Sequence, residues 1–184
     1  MNISWKLGLL TLLIFGIGGV LIIEFVQDLS VIEVMSSGQS PLLQISAGIT
    51  AGLVSSAIAI GIISRPFFHP ELRYYSNLIT GWKLTHVDMI ILSICAGFAE
   101  ELFFRAGIQP LLGIWWTALI FVFIHGYLNP NKWRISIYGT VLVGIIAGFG
   151  YLYEWIGILT PMVAHAILDL ALFHYLSRHG GENP

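Results

Sequence analysis

From Leu7 to Ile23 the chain passes through 17 residues without a charge. A helix crosses the hydrocarbon core of a bilayer in about 20 residues, and backbone polar groups there must be satisfied within the segment. Continued to Val26, this run meets that length. Five further stretches qualify, at residues 42–63, 87–104, 110–128, 136–155 and 158–176. Polar breaks at 27–41, 64–86 and 129–135 and a short turn at 156–157 separate most of them. The expected fold is all-α, a polytopic membrane helix bundle of about six transmembrane helices. No linker has room for a separate soluble unit, so residues 1–184 are read as a single integral membrane domain.

Composition supports this reading. Hydrophobic residues make up 57% of the chain and charged residues 10%, where soluble domains carry about 25% charged residues. That excludes a disordered chain. One cysteine, Cys95, excludes an internal disulfide framework. A formal net charge of -2 provides no basic field for a phosphate backbone, so no nucleic-acid partner is expected. The first run superficially looks like a signal peptide, but it exceeds the usual h-region of about 7–15 residues and no small-x-small pattern follows. It is read as a retained first helix.

Charge also orients the bundle. With alternating helices, Lys6, Arg65, Arg73, Lys83, Lys132, Arg134 and Arg178 fall on one side, while residues 27–41 carry Asp28 and Glu33 and no base. The positive-inside rule assigns that basic side, and both termini, to the cytoplasm. Trp5, Trp82, Trp115, Trp116, Trp133 and Trp155 fall near segment ends, where amphipathic rings are favoured. The 64–86 linker is expected to lie partly in the interface. Gly48/Gly52 and Gly144/Gly148, each four residues apart, are expected to admit close helix neighbours. The polar tail 177–184 is expected to fray.

Arg105 is the one base outside this pattern. It stands near Glu100 and Glu101 at the end of the third apolar segment. Charges inside a membrane are costly and usually face the bundle interior, pair together or line a pathway. Glu101 and Arg105 are four apart, on one helical face, and can form an ion pair. Glu100 is rotated away and has no partner by spacing. A structural Glu–Arg clasp and a general acid or base are both compatible with this arrangement. His125 in the fourth segment, and His165 and Asp169 four apart in the sixth, add candidates for a convergent polar site. At about 1.5 Å rise per residue, His125 lies too deep if its helix starts at Pro110. An irregular link at 106–113 would bring it to roughly 16 Å, near the depth of the others.

Three motifs now make a resemblance specific. Glu100-Glu101-Leu-Phe-Phe-Arg105 reads EExxxR, Phe121-Val-Phe-Ile-His125 reads FxxxH, and His165-Ala-Ile-Leu-Asp169 reads HxxxD. In this order they resemble the CPBP family, the intramembrane glutamic endopeptidases related to the CAAX prenyl protease Rce1, over a family-like core at 87–176. The family includes proteins associated with abortive infection and protection against bacteriocins. The resemblance implies proteolysis inside the membrane, in which Glu100 with His125 activates a water. It further implies that Glu101, held by Arg105, organises the site, as does Phe121, and that His165 and Asp169 face the developing oxyanion.

Asp169 departs from the asparagine found in much of the family. An ionised aspartate offers only acceptors and would repel an oxyanion. Either Asp169 is protonated or it orients His165, and the i,i+4 spacing favours the second. The implied substrate is a membrane-associated protein or peptide, prenylated ones included, and the implied location is a prokaryotic cell membrane, with the lipid bilayer as solvent. Charge places Glu100 toward the extracytoplasmic side, whereas family members acting on cytoplasmic substrates open to the cytoplasm. No cofactor is expected; zinc held by the two imidazoles and a carboxylate is the alternative. A catalytically inactive immunity or scaffold protein, and a proton-coupled carrier, are the non-proteolytic readings.

Overall fold

The computed structural model describes residues 3–179, and its eight helices account for nearly all of them. Helix α1 spans residues 3–25, with a π-helical stretch at Leu12–Ile17. A short α2, Val31–Ser36, is closed at its start by a capping box between Ser30 and Glu33. Helix α3 is Pro41–Ile63 and α4 is His69–Gly81. Helix α5 begins at His86, passes through π-helical Leu102–Ile108 and ends at Leu112. Helices α6, Ile114–Ile124, α7, Trp133–Trp155, and α8, Leu159–His179, complete the chain.

Four helices are long and apolar enough to cross a membrane by length and composition: Trp5–Phe25, Pro41–Ile63, Trp133–Trp155 and Leu159–His179. The expected third and fourth crossings differ in form. The third does not stop near Phe104 but continues, partly as π-helix, to Leu112. The expected irregular link at 106–113 reduces to Gly113, whose φ of +79° favours glycine. The fourth is only 11 residues, Ile114–Ile124, about 16 Å of helix, roughly half of what a crossing of the hydrocarbon core requires. Two further helices appear where linkers were expected, α2 within 27–41 and α4 within 64–86. Helix α8 continues into the expected frayed tail as far as His179; residues 180–184 lie outside those described.

Large apolar side chains such as Leu10, Ile14, Ile17, Leu42, Leu53, Ile94, Trp116 and Phe123 remain uncovered by protein. This is the surface expected of a bundle solvated by lipid. The interior is apolar as well, with Phe104, Phe121, Tyr138, Leu142, Ile146, Phe149 and Leu168 in one cluster.

Helix α8 packs between α3 and α5. Glycine permits both contacts. A Cβ on Gly48 would meet the Thr160 carbonyl oxygen at 2.7 Å, one on Gly52 the Ala164 carbonyl oxygen at 2.8 Å, and one on Gly97 the Met162 carbonyl oxygen at 2.6 Å. The expectation for Gly48/Gly52 is met. Gly144 and Gly148 behave otherwise: a Cβ on either would have nothing within 4 Å, so this pair faces open space rather than a neighbouring helix. At the far end, Gln44 fixes the start of α8. Its Nε2 donates to the carbonyls of Ser37 and Gln39, and its Oε1 accepts from the Leu159 N–H at 3.0 Å.

Candidate active site

Three adjacent helices bring the polar side chains together. On α5, Glu100 and Glu101 occupy the last turn before the π-helical stretch, and Arg105 lies within it. A π-turn shifts the carbonyl pattern by one residue and often marks a functional position. Gln27 supports it: its Nε2 donates to the carbonyl oxygens of Ala106 and Gly107 at 2.7 and 2.9 Å.

Arg105 Nε donates to Glu101 Oε2 at 2.8 Å, and both side chains are fully buried. This is the ion pair that the spacing predicts. The other Glu101 oxygen, Oε1, lies 2.9 Å from His165 Nδ1 on α8. His165 Nε2 in turn faces Asp169 Oδ2 at 3.5 Å. A chain of polar groups therefore runs Arg105–Glu101–His165–Asp169, from sealed interior to a partly open side chain at Asp169 (26% exposed).

Glu100, without a partner by spacing, acquires one from another helix. Its Oε2 is 3.2 Å from His125 Nε2. His125 is the residue at which α6 ends, and its Nδ1 is 2.7 Å from the Phe121 carbonyl oxygen. A carbonyl oxygen only accepts, so Nδ1 carries the hydrogen in this contact. Nε2 of the neutral ring is then a bare lone pair facing a carboxylate, and a hydrogen bond between them requires one more proton on the pair. Glu100 and His125 thus form a unit able to exchange a proton.

Phe121 lies at the centre of both units. Its ring stacks on His125 (centroids 4.3 Å apart, planes at 19°), meets His165 edge-on at 5.6 Å and has the Arg105 guanidinium 5.8 Å away. Every residue singled out by its sequence motif is brought into this cluster.

A cavity of about 370 Å³ adjoins it. Glu100, His125, His165 and Asp169 line its deep end, and Leu7, Trp82 and Leu176 line it near the basic end of the bundle. Glu101 and Arg105 do not reach it. Glu100 lies about 21 Å of helix from His86, yet the cavity connects that depth with the basic end.

Comparison with known proteins matches residues 82–171 to the family described as type II CAAX prenyl endopeptidase Rce1-like. Those residues, just under half of the chain, are similar to an Rce1-like domain. The uncharacterized protein YpbD of Bacillus subtilis (strain 168) is 39% identical over 82 residues, 44% of this chain and 41% of that protein. The chain thus covers less than half of that relative's length. No solved structure matches the chain.

The match begins at Trp82 and ends at Ala171, so it takes in all three motifs of the Rce1-like domain and leaves out α1 to α4. Three of the excluded helices nevertheless contribute to the cavity, α1 through Leu7 and Thr11, α3 through Ile63 and α4 through Tyr75, Leu78 and Ile79. Sequence reasoning missed these residues, which belong to no motif. It also missed the bond between Glu101 and His165, since the helical period relates only residues on one helix. Among the described residues no three His, Cys, Asp or Glu side chains converge as a metal set, and the ring nitrogens of His125 and His165 already face protein oxygens.

Proposed function

We propose that this protein is an intramembrane endopeptidase that cleaves a membrane-associated protein or peptide, prenylated ones included, by means of a water activated by Glu100 and His125. The observation that carries the reading is the Glu100–His125 pair, 3.2 Å apart at the deep end of a cavity. Similarity of residues 82–171 to a family of CAAX prenyl endopeptidases supports it.

In this mechanism the Glu100 carboxylate takes a proton from water as the water oxygen bonds to the scissile carbonyl carbon. The carbon–nitrogen bond then breaks, and the proton passes to the departing amine. His125 holds the second proton of the pair and keeps Glu100 aimed into the cavity. A preorganised site of this kind is most effective where bulk water is excluded. Glu101 acts at one remove, holding the ring of His165. With Nδ1 of His165 donating to Glu101, Nε2 carries a hydrogen only when the ring is protonated. In that state its 3.5 Å separation from Asp169 is long for a hydrogen bond, and the N–H is available to an oxyanion. Asp169 is accordingly a positioning residue for His165.

In the bilayer, α5 and the half-length α6 with its following loop complete six crossings, and both termini lie in the cytoplasm of a prokaryotic cell. Substrate then reaches the cavity from the cytoplasmic side. The test is cleavage of membrane peptides, with and without a prenyl group, by the purified protein in nanodiscs. Turnover that disappears in Glu100→Gln supports the proposal. Turnover retained in that variant overturns it, and wild type that binds but never cleaves favours the immunity or scaffold reading.

A further inference from the structure

The Pro66–Phe68 turn before α4, and Tyr74 of α4 itself, meet Lys132 and the start of α7 at the basic end of the bundle, outside the matched domain except for Lys132 and the residues at the start of α7. Their contact is made of exposed aromatic rings and cations. The Phe67 ring lies edge-on to Trp133, with centroids 5.5 Å apart. The Arg134 guanidinium lies 5.3 Å from the Phe67 ring and 5.8 Å from that of Trp133. Lys132 Nζ sits 4.3 Å over the ring of Tyr74. All three rings remain open, at 42% for Phe67, 54% for Tyr74 and 59% for Trp133.

Among the described residues the cations have no acidic partner. Neither Lys132 nor Arg134 forms an ion pair among the described residues, and the same holds for neighbouring Arg65 and Arg73. Residues 64–86 contain one acid, Glu71, which is also outside every ion pair, and residues 126–135 contain none. Aromatic rings hold Lys132 and Arg134 in place without neutralising them. Side chains so arranged at the interface present fixed positive charge beside an apolar floor, which matches a phospholipid whose headgroup is anionic and whose acyl chains descend along α7.

We infer that Lys132 and Arg134, with Phe67, Tyr74 and Trp133, form a binding site for an anionic phospholipid headgroup at the junction of α4 and α7. The site has a structural link to the cavity. Tyr74 faces the lipid, whereas the next residue, Tyr75, lines the cavity and packs on Tyr127 at 5.7 Å. A lipid held at this junction braces the helix that forms one cavity wall. The binding inference itself is independent of peptidase activity.

The test uses the full chain in nanodiscs of phosphatidylcholine alone or mixed with phosphatidylglycerol, and native mass spectrometry to count retained lipid. Phosphatidylglycerol should be retained in preference to phosphatidylcholine. The Lys132→Gln/Arg134→Gln variant should lose roughly tenfold to thirtyfold of that preference, given the attraction of each basic residue to an anionic surface. A charge-matched variant, Lys6→Gln/Arg178→Gln, removes two bases from the same membrane side but not from this junction, and should keep most of it.

Equal losses in the two variants would reduce the effect to net charge and overturn the site. So would equal retention of both lipids by wild type. Inorganic phosphate that displaces the lipid completely would identify a phosphate site instead. If the first variant does not fold, salt titration of wild type decides the matter: the preference must fall as salt screens the junction, and a salt-independent preference overturns the inference.

Discussion

Glu101 and His165 are 64 positions apart in the chain, yet Oε1 of one lies 2.9 Å from Nδ1 of the other, with both side chains buried. That bond joins the buried Arg105–Glu101 pair to the cavity. It requires α5 and α8 to approach more closely than side chains on both would allow. Gly97 provides the room.

Gly97→Val tests this dependence. A Cβ there would stand 2.6 Å from the Met162 carbonyl oxygen and 2.9 Å from the Ala166 nitrogen, so backbone must move. Overpacking of this kind costs about 1–3 kcal/mol or more. The expected result is a lower thermal midpoint in detergent micelles, with cleavage reduced further than the change in stability explains. Unchanged stability and cleavage would show that the α5–α8 spacing is not critical.

The Arg105–Glu101 pair is fully buried. Removing one member leaves an uncompensated charge, which costs about 3–5 kcal/mol, while replacing both is often far cheaper. Arg105→Leu is therefore expected to destabilise the bundle strongly, and Glu101→Gln/Arg105→Leu to recover much of the loss. Chemical unfolding of the four-protein cycle measures this. An additive double variant would mean that the pair is not coupled.

Glu100 is at the cavity, and its side chain is 9% exposed. Glu100→Gln keeps its shape and removes its basicity. General acid–base catalysis contributes about 10²–10⁴-fold to a rate, so cleavage should fall by at least roughly 100-fold while thermal stability holds or rises. The measurement is single-turnover cleavage alongside an unfolding curve.

Asp169 distinguishes hydrogen bonding from charge. An asparagine keeps an acceptor that can face His165 Nε2, whereas alanine offers none. Asp169→Asn should be clearly less damaging to kcat than Asp169→Ala, with KM little changed in both. Equal losses would indicate that the carboxylate charge, not the orientation of His165, is what the site needs.

Much of the site was legible because three of its contacts join residues four apart on a helix. Glu101 with Arg105, the Phe121 carbonyl with His125, and His165 with Asp169 all follow from that period. The cost of burying polar groups in lipid marked Glu100, Glu101, Arg105, His125, His165 and Asp169 without any motif, whereas Phe121 stood out only through its motif. The contacts that cross between helices, Glu100 with His125 and Glu101 with His165, follow from no spacing. Glycine pairs show the same limit. Gly48/Gly52 and Gly144/Gly148 have identical spacing, but one pair holds α8 and the other faces open space. A small residue permits an approach; only the rest of the fold decides whether a helix makes it.

The amino-acid sequence by itself indicated an apolar solvent, the helical class and the candidate residues of the site, because hydrophobic length, charge cost and helical period are local properties. The tertiary structure decided the rest. It set the half-length α6 that ends on His125, the partners of Glu100 and His165, and the cavity that α1, α3 and α4 help to wall. These depend on how far apart packed helices stand, and that distance is settled by every contact in the bundle at once.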